Sequence, residues 1–186
     1  MRSLYVNIYA QPPLLMVLET ALIPFLWAWV LAFTAKRAAL QKLLNAVLLA
    51  AAACLILEIT ILNRTPHASA RLNLEPFRLL RIALRQKREL IRSILLNVFL
   101  FAPFGSATVN LLPDRRSVRR RVLLTCLIGG FASAFVELAQ FRSMLGDAET
   151  DDLICNTLGA LIGALSLPIS RWLRSKVIEQ KEEKQS

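Results

Sequence analysis

The sequence predicts an all-α integral membrane protein, a helical bundle with about five transmembrane helices and one interfacial amphipathic helix. Three observations carry this. Hydrophobic residues make up 55% of the 186-residue chain and the mean hydropathy is +0.49, more apolar than a soluble core requires. Five apolar stretches each have roughly the 20 residues needed to cross a hydrocarbon core. The net charge of +10 is concentrated between those stretches, which points to anionic membrane lipids as partners and away from nucleic acid.

Pro12 and Pro13 suit the entry to a helix, and the first span, 13–35, is interrupted only by Glu19 and Pro24. No basic n-region or A-x-A site precedes it, so the expectation is an uncleaved span. After Lys36, Arg37 and Lys42 the second span covers 43–62, with Glu58 near its end and Asn63, Arg64 and Pro66 stopping it. From Phe77 onward Arg78, Arg81, Arg85, Arg88 and Arg92 recur at spacings of 3, 4, 3 and 4, the stripe of one helix over 77–92. With Phe77, Leu80, Leu84 and Ile91 on other faces, that helix suits the interface, its arginines towards lipid phosphates. A solvated basic face is the plainer alternative.

The third span, 94–112, has Asn97 near its start and Pro103 and Gly105 in its middle; Pro103 removes a backbone donor and predicts a kink. Five arginines follow in the link 113–121. The fourth span, 122–141, carries the small residues Gly129, Gly130, Ala132 and Ser133 and closes with Glu137 and Gln140. The fifth, 153–169, completes one transmembrane domain over 1–170, and a charged tail of mixed sign, 171–186, is expected to be solvated and partly disordered. Cys54, Cys126 and Cys155 each lie in an apolar span without ligand spacing and read as small apolar residues.

Alternating spans place Glu19, Glu58, Asn97, Glu137, Gln140, Asp152 and Asn156 towards one membrane face, together with the segment 73–77 and the acidic turn of Asp147, Glu149 and Asp151. Glu137 and Gln140 are three apart and Asp152 and Asn156 four apart, so each pair shares a helix face. Gly159 and Gly163 extend the second face as a thin surface for helix packing. An ionised carboxylate at the bilayer centre costs about 2.5–3.5 kcal/mol on insertion scales, so such a gathering calls for partners or function. For Glu58, Gln140 and Asp152 the bland alternative is helix-end polarity; for Glu137 and Asn97 it is a hydrogen-bonded pair that locks the bundle. The short basic links after spans one and three favour an outside N-terminus, a cytoplasmic C-terminus and a polar cluster facing the exterior.

Three blocks, NLEPF at 73–77, NVFLFAPFG at 97–105, and ELAQ followed by DDLICNTLGALIG between 137 and 163, resemble VanZ-like membrane proteins over roughly residues 60–165. The resemblance implies a small multi-pass protein of the bacterial cell membrane, in a family whose namesake is linked to teicoplanin resistance. Two positions depart from the family pattern. Gly146 and Asp147 stand where an arginine usually follows the turn glycine, and Glu75 stands at a usually apolar position.

Three functions fit. In the first, Asn73, Asn97, Glu137, Gln140, Asp152 and Asn156 bind the polar headgroup of a lipid-linked cell-wall precursor or a lipoglycopeptide, while Arg78, Arg81, Arg85, Arg88 and Arg92 hold phosphates. The second is an enzyme on a lipid-linked envelope substrate, with Glu137 and Asp152 as acid, base or metal ligands. An ion-coupled transporter is the third, weakened by the one-sided clustering. The lone histidine, His67, offers no triad base and no zinc set, and reads as a loop residue. Neither a P-loop nor a GxGxxG is present, so no cofactor is expected. Glu137, Asp151 and Asp152 could hold a hard cation such as Mg²⁺, but no metal site is assigned.

Overall fold

A computed structural model describes residues 13–85 and 88–183, and side chains over 13–85 and 90–176. Pro12, Gln86, Lys87, residues 184–186 and the side chain of Arg88 lie outside the described residues. In chain order the elements are α1 (Pro13–Phe33), α2 (Ala38–Leu57, continued by a π-helical turn, Glu58–Leu62), β1 (Leu72–Asn73), α3 (Arg78–Arg85), α4 (Arg88–Leu111), α5 (Val118–Arg142), β2 (Ala148–Glu149), α6 (Thr150–Ala164) and α7 (Ser166–Glu183). Five helical stretches are long and apolar enough to cross a membrane: Pro13–Phe33, Ala38–Leu62, Leu90–Leu111, Val118–Arg142 and Thr150–Lys176. The fold class is therefore as the sequence predicts.

Glycine decides the central packing. A Cβ at Gly163 would stand 1.9 Å from the Ala102 carbonyl oxygen, one at Gly159 2.2 Å from that of Val98, and one at Gly105 2.1 Å from that of Ala160. The backbones of α4 and α6 thus touch, as a small-residue interface in lipid allows. Ser106 Oγ donates to the Gly163 carbonyl at 3.0 Å across the same contact. Around this pair Met16, Ile56, Leu96, Leu100, Phe101 and Val136 join α1, α2, α4 and α5 in one apolar cluster. Phe131 and Phe135 face outward from α5, 77% and 71% exposed, as lipid-facing residues do.

Polar groups tie the helix ends. Ser117 caps α5 by accepting from the Arg120 N–H at 3.3 Å. Arg121 is buried and donates to the Val109 carbonyl from Nε at 3.1 Å and Nη2 at 2.8 Å, while its third nitrogen meets Asp114. One arginine of the basic link thus closes the end of α4 instead of facing water.

Two boundaries differ from the sequence reading. The arginine stripe is divided: Arg78, Arg81 and Arg85 lie on α3, whereas Arg88 and Arg92 belong to α4. The 3, 4, 3, 4 spacing registers local helix but not its division. Asp151 anchors the start of α3, and α6 holds α4 through the glycines, so two anchors fix two segments separately. Helix α7 also runs on to Glu183, through most of the segment read as a charged tail. Pro103, expected to kink span three, lies within the continuous helix α4.

Candidate functional site

The long connector after α2 folds back on the acidic turn between α5 and α6. The two form a short parallel ladder, Leu72 with Ala148 and Asn73 with Glu149. His67 N–H donates to the Met144 carbonyl at 2.7 Å, and Ala148 N–H to that of Arg71 at 2.9 Å. Arg71 N–H donates to Asp147 Oδ1 at 2.8 Å, and Thr150 Oγ1 to the Asn73 carbonyl at 3.3 Å. The gathering of residues 73–77 with the acidic turn, inferred from span alternation, is thus real.

The carboxylates of this turn hold backbone donors. Asp151 is buried and accepts from the N–H groups of Phe77 and, at 2.6 Å, Leu79, so it caps α3 from another part of the chain. Phe77 has a left-handed backbone, φ 59°, that this cap helps to hold. Glu137, 8% exposed, accepts from the Glu149 N–H at 3.0 Å, and Asp152 accepts from Asn97 Nδ2 at 2.6 Å. Glu137 feels the charges of Asp152, Arg64 and Glu149; Asp152 feels those of Glu149, Arg64 and Asp151. One cation serves both acids, Arg64, whose Nη1 occupies the space that a Cβ at Gly146 would need, 2.7 Å away.

These elements enclose a polar pocket of about 570 Å³, open to the surface and lined by Arg64, His67, Ser69, Arg71, Ser93, Gly146, Asp147, Glu149 and Asp152. Of the six residues assigned to ligand binding, Asp152 lines it directly. Asn97 orients Asp152, and Asn73 hydrogen-bonds the Glu149 side chain. Glu137 lines a separate cleft of about 300 Å³ beside Leu72, Leu74 and Phe141. Gln140 and Asn156 are engaged elsewhere: Gln140 Nε2 donates to the Thr60 carbonyl in the π-helical turn at 2.8 Å, and Asn156 Nδ2 to Ser133 Oγ at 2.8 Å. Oδ1 of Asn156 is buried without a hydrogen-bond partner. Among the stripe arginines, Arg78 acts on Glu149, Arg81 pairs with Glu75, and Arg85 is exposed.

Sequence reasoning missed Arg64, Arg71, Ser69 and Ser93, and gave His67 no role. Arg64, His67, Ser69 and Arg71 have no periodicity, because they lie on the connector that pairs with the acidic turn, whereas Ser93 lies on α4. A usable signal was Gly146, which leaves room for a guanidinium from outside the turn that lacks the usual arginine. Among the described residues no group of three or more His, Cys, Asp or Glu could hold a metal ion.

Burial, with Asp147 and Asp151 near, holds the Glu149 carboxyl above its ordinary value, against the opposing pull of the Asn73 hydrogen bond and Arg78. A raised carboxyl favours the protonated folded state, so this contribution to stability is complete in acid and is lost as pH rises through the raised value. Thermal unfolding in detergent from about pH 4 to about pH 7 tests this. Glu149→Gln, which cannot ionise, is expected to lose less stability over that range than the unaltered chain; parallel profiles would contradict it.

A five-span helical bundle with a polar pocket at one end of its α4–α6 pair defines a multi-pass membrane protein with a site at the end of its bundle. Residues 59–171 match the family model VanZ/LLP1, and the chain belongs to that family. Neither a curated protein nor a solved structure matches it.

Proposed function

We propose that this VanZ-family protein binds the polar headgroup of an envelope lipid intermediate or of a lipoglycopeptide, and so contributes to teicoplanin-type glycopeptide resistance. The observation that carries the reading is the 570 Å³ pocket, in which Arg64 and Arg71 stand with Asp147, Glu149 and Asp152 at the end of an apolar bundle. The arginines suit phosphate or carboxylate groups of the ligand, and Asp152, oriented by Asn97, suits a hydroxyl or amine. Glu137 and Asn73 position the turn, whereas Gln140 and Asn156 support it from within the bundle. Arg78, Arg81 and Arg85 attract anionic membrane lipids to the surface beside the pocket.

Expression in a glycopeptide-sensitive bacterium is the test. Arg64→Ala and Asp152→Asn are each expected to remove most of the teicoplanin protection given by the unaltered chain at equal membrane abundance. Full protection from both variants would contradict the assignment.

The reading places the pocket on the exterior, with the C-terminus in the cytoplasm. A cysteine put at exposed Asp147, in a chain freed of Cys54, Cys126 and Cys155, is then expected to react with a membrane-impermeant thiol reagent in intact cells. Reaction only after permeabilisation would contradict this orientation. An enzyme is the second reading, favoured by the nearness of the Asp152 charge to the buried Glu137 carboxyl. Turnover of a lipid-linked substrate that disappears in both Glu137→Gln and Asp152→Asn would select it.

A further inference from the structure

A second cavity, of about 610 Å³, lies between α1, α3, α4, α6 and α7. Its walls are almost wholly hydrocarbon, with Ala21, Phe25, Val98, Leu158 and Ile162 among them, and Phe77, Leu80 and Asp151 also line it. Four of the lining helices belong to membrane-spanning stretches, so the groove opens among lipid chains. An unfilled void of this size would forfeit the dispersion contacts of its lining, and a hydrocarbon chain restores them.

The groove and the polar pocket share two helices as walls, with consecutive residues lining one and the other. On α4, Ser93 lines the pocket and Ile94 the groove; on α6, Asp152 lines the pocket and Asp151 the groove. Consecutive Cα atoms are only about 3.8 Å apart. Charge marks the junction too. Helix α3 contributes Leu80 to the groove wall, while its exposed Arg78 acts on Glu149 in the pocket.

We propose that the groove is the tail subsite of the same ligand site: one hydrocarbon chain of a phosphate-headed lipid lies in it, with the phosphate at Arg78 and the polar head in the pocket. This rests on the headgroup reading above. The groove alone selects little, because bulk lipid tails are as apolar as its lining. Selection comes from Arg78 and the pocket, and the groove lets head and tail bind together, as linked sites do.

The full chain, purified in a nonionic detergent, would be titrated with dioleoylphosphatidylglycerol and followed by native mass spectrometry. Tail-free glycerol phosphate would be the competitor. Ala21→Trp and Leu158→Trp fill the groove from two helices; Leu127→Trp puts the same ring on the exposed outer side of α5 as a control. One lipid is expected to bind tightly to the unaltered chain and to Leu127→Trp. Each groove-filled variant is expected to bind it about tenfold more weakly, the scale of one good contact. Glycerol phosphate is expected to compete poorly. Should one tryptophan variant misfold, judged by its elution and melting profile, the other decides.

Equal affinity in the folded groove variants, or competition by glycerol phosphate as strong as by the whole lipid, would overturn the tail subsite. The headgroup reading fails separately: in that case Arg64→Ala keeps full lipid affinity while the groove variants still lose theirs.

Discussion

Leucine in place of Gly163 is expected to prevent the bundle from assembling. Even a Cβ would stand 1.9 Å from the Ala102 carbonyl oxygen and 2.7 Å from the Ser106 nitrogen, both backbone atoms that no rotamer change can move aside. Helices α4 and α6 would have to separate, which would also break the Ser106 hydrogen bond to the Gly163 carbonyl. Overpacking of a close contact costs roughly 1–3 kcal/mol where side chains can adjust, and here the backbone must move, so more than about 3 kcal/mol is expected. Gly130→Ala is the matched control, since its Cβ would meet only Thr157 Oγ1, at 3.3 Å. Membrane yield and melting temperature in detergent give the comparison: near-normal values for Gly130→Ala and aggregation or proteolysis for Gly163→Leu. A Gly163→Leu protein that melts like the unaltered chain would show that α4 and α6 do not pack backbone to backbone.

The second large effect is expected from Asp151→Ala, and it is local. Two N–H groups, those of Phe77 and Leu79, share this carboxylate at the start of α3. Each charge-assisted bond contributes about 1.5–3 kcal/mol, and the helix dipole adds to the preference for an anion there. Without it, Phe77 loses support for its left-handed backbone, and α3 keeps little to hold it beyond Ala83, its one buried residue. Removing about 3 kcal/mol raises the open population of α3 by roughly a hundredfold. Trypsin reads this directly, because Arg78, Arg81 and Arg85 become cleavable once the helix opens. Faster cleavage there, with little change in the melting of the five spans, is the expected outcome. Unchanged protection of α3 would mean that something other than Asp151 holds it.

Much of the fold was legible because lipid imposes a simple rule. Each apolar stretch had to become a helix to satisfy its own backbone, and alternation of those helices placed the 73–77 segment beside the acidic turn. Gly159 and Gly163 were legible for the same reason, since close packing in lipid selects small residues at that spacing. The pocket was legible only in part. Asp152 and Asn97 could be placed because helical periodicity fixes a face. Arg64, His67 and Arg71 could not, because their positions follow from a ladder between segments some 75 residues apart. Gln140 shows the opposite limit. Its face was right, but its partner is the Thr60 carbonyl near the end of the π-helical turn, left free because the Arg64 N–H bonds to Ile61 instead. The amide is buried there because it satisfies an open backbone carbonyl.

Direct binding tests the central claim most closely. The full chain would be reconstituted in nanodiscs and its affinity for teicoplanin and for a lipid-linked cell-wall precursor compared with that of Arg64→Ala and Asp152→Asn. Saturable binding of at least one of the two ligands is expected, weakened about tenfold or more in each variant, as when a desolvated charged contact is lost. Equal affinity in all three proteins, or no saturable binding of either ligand, would contradict a headgroup site in the pocket of Arg64, Arg71 and Asp152.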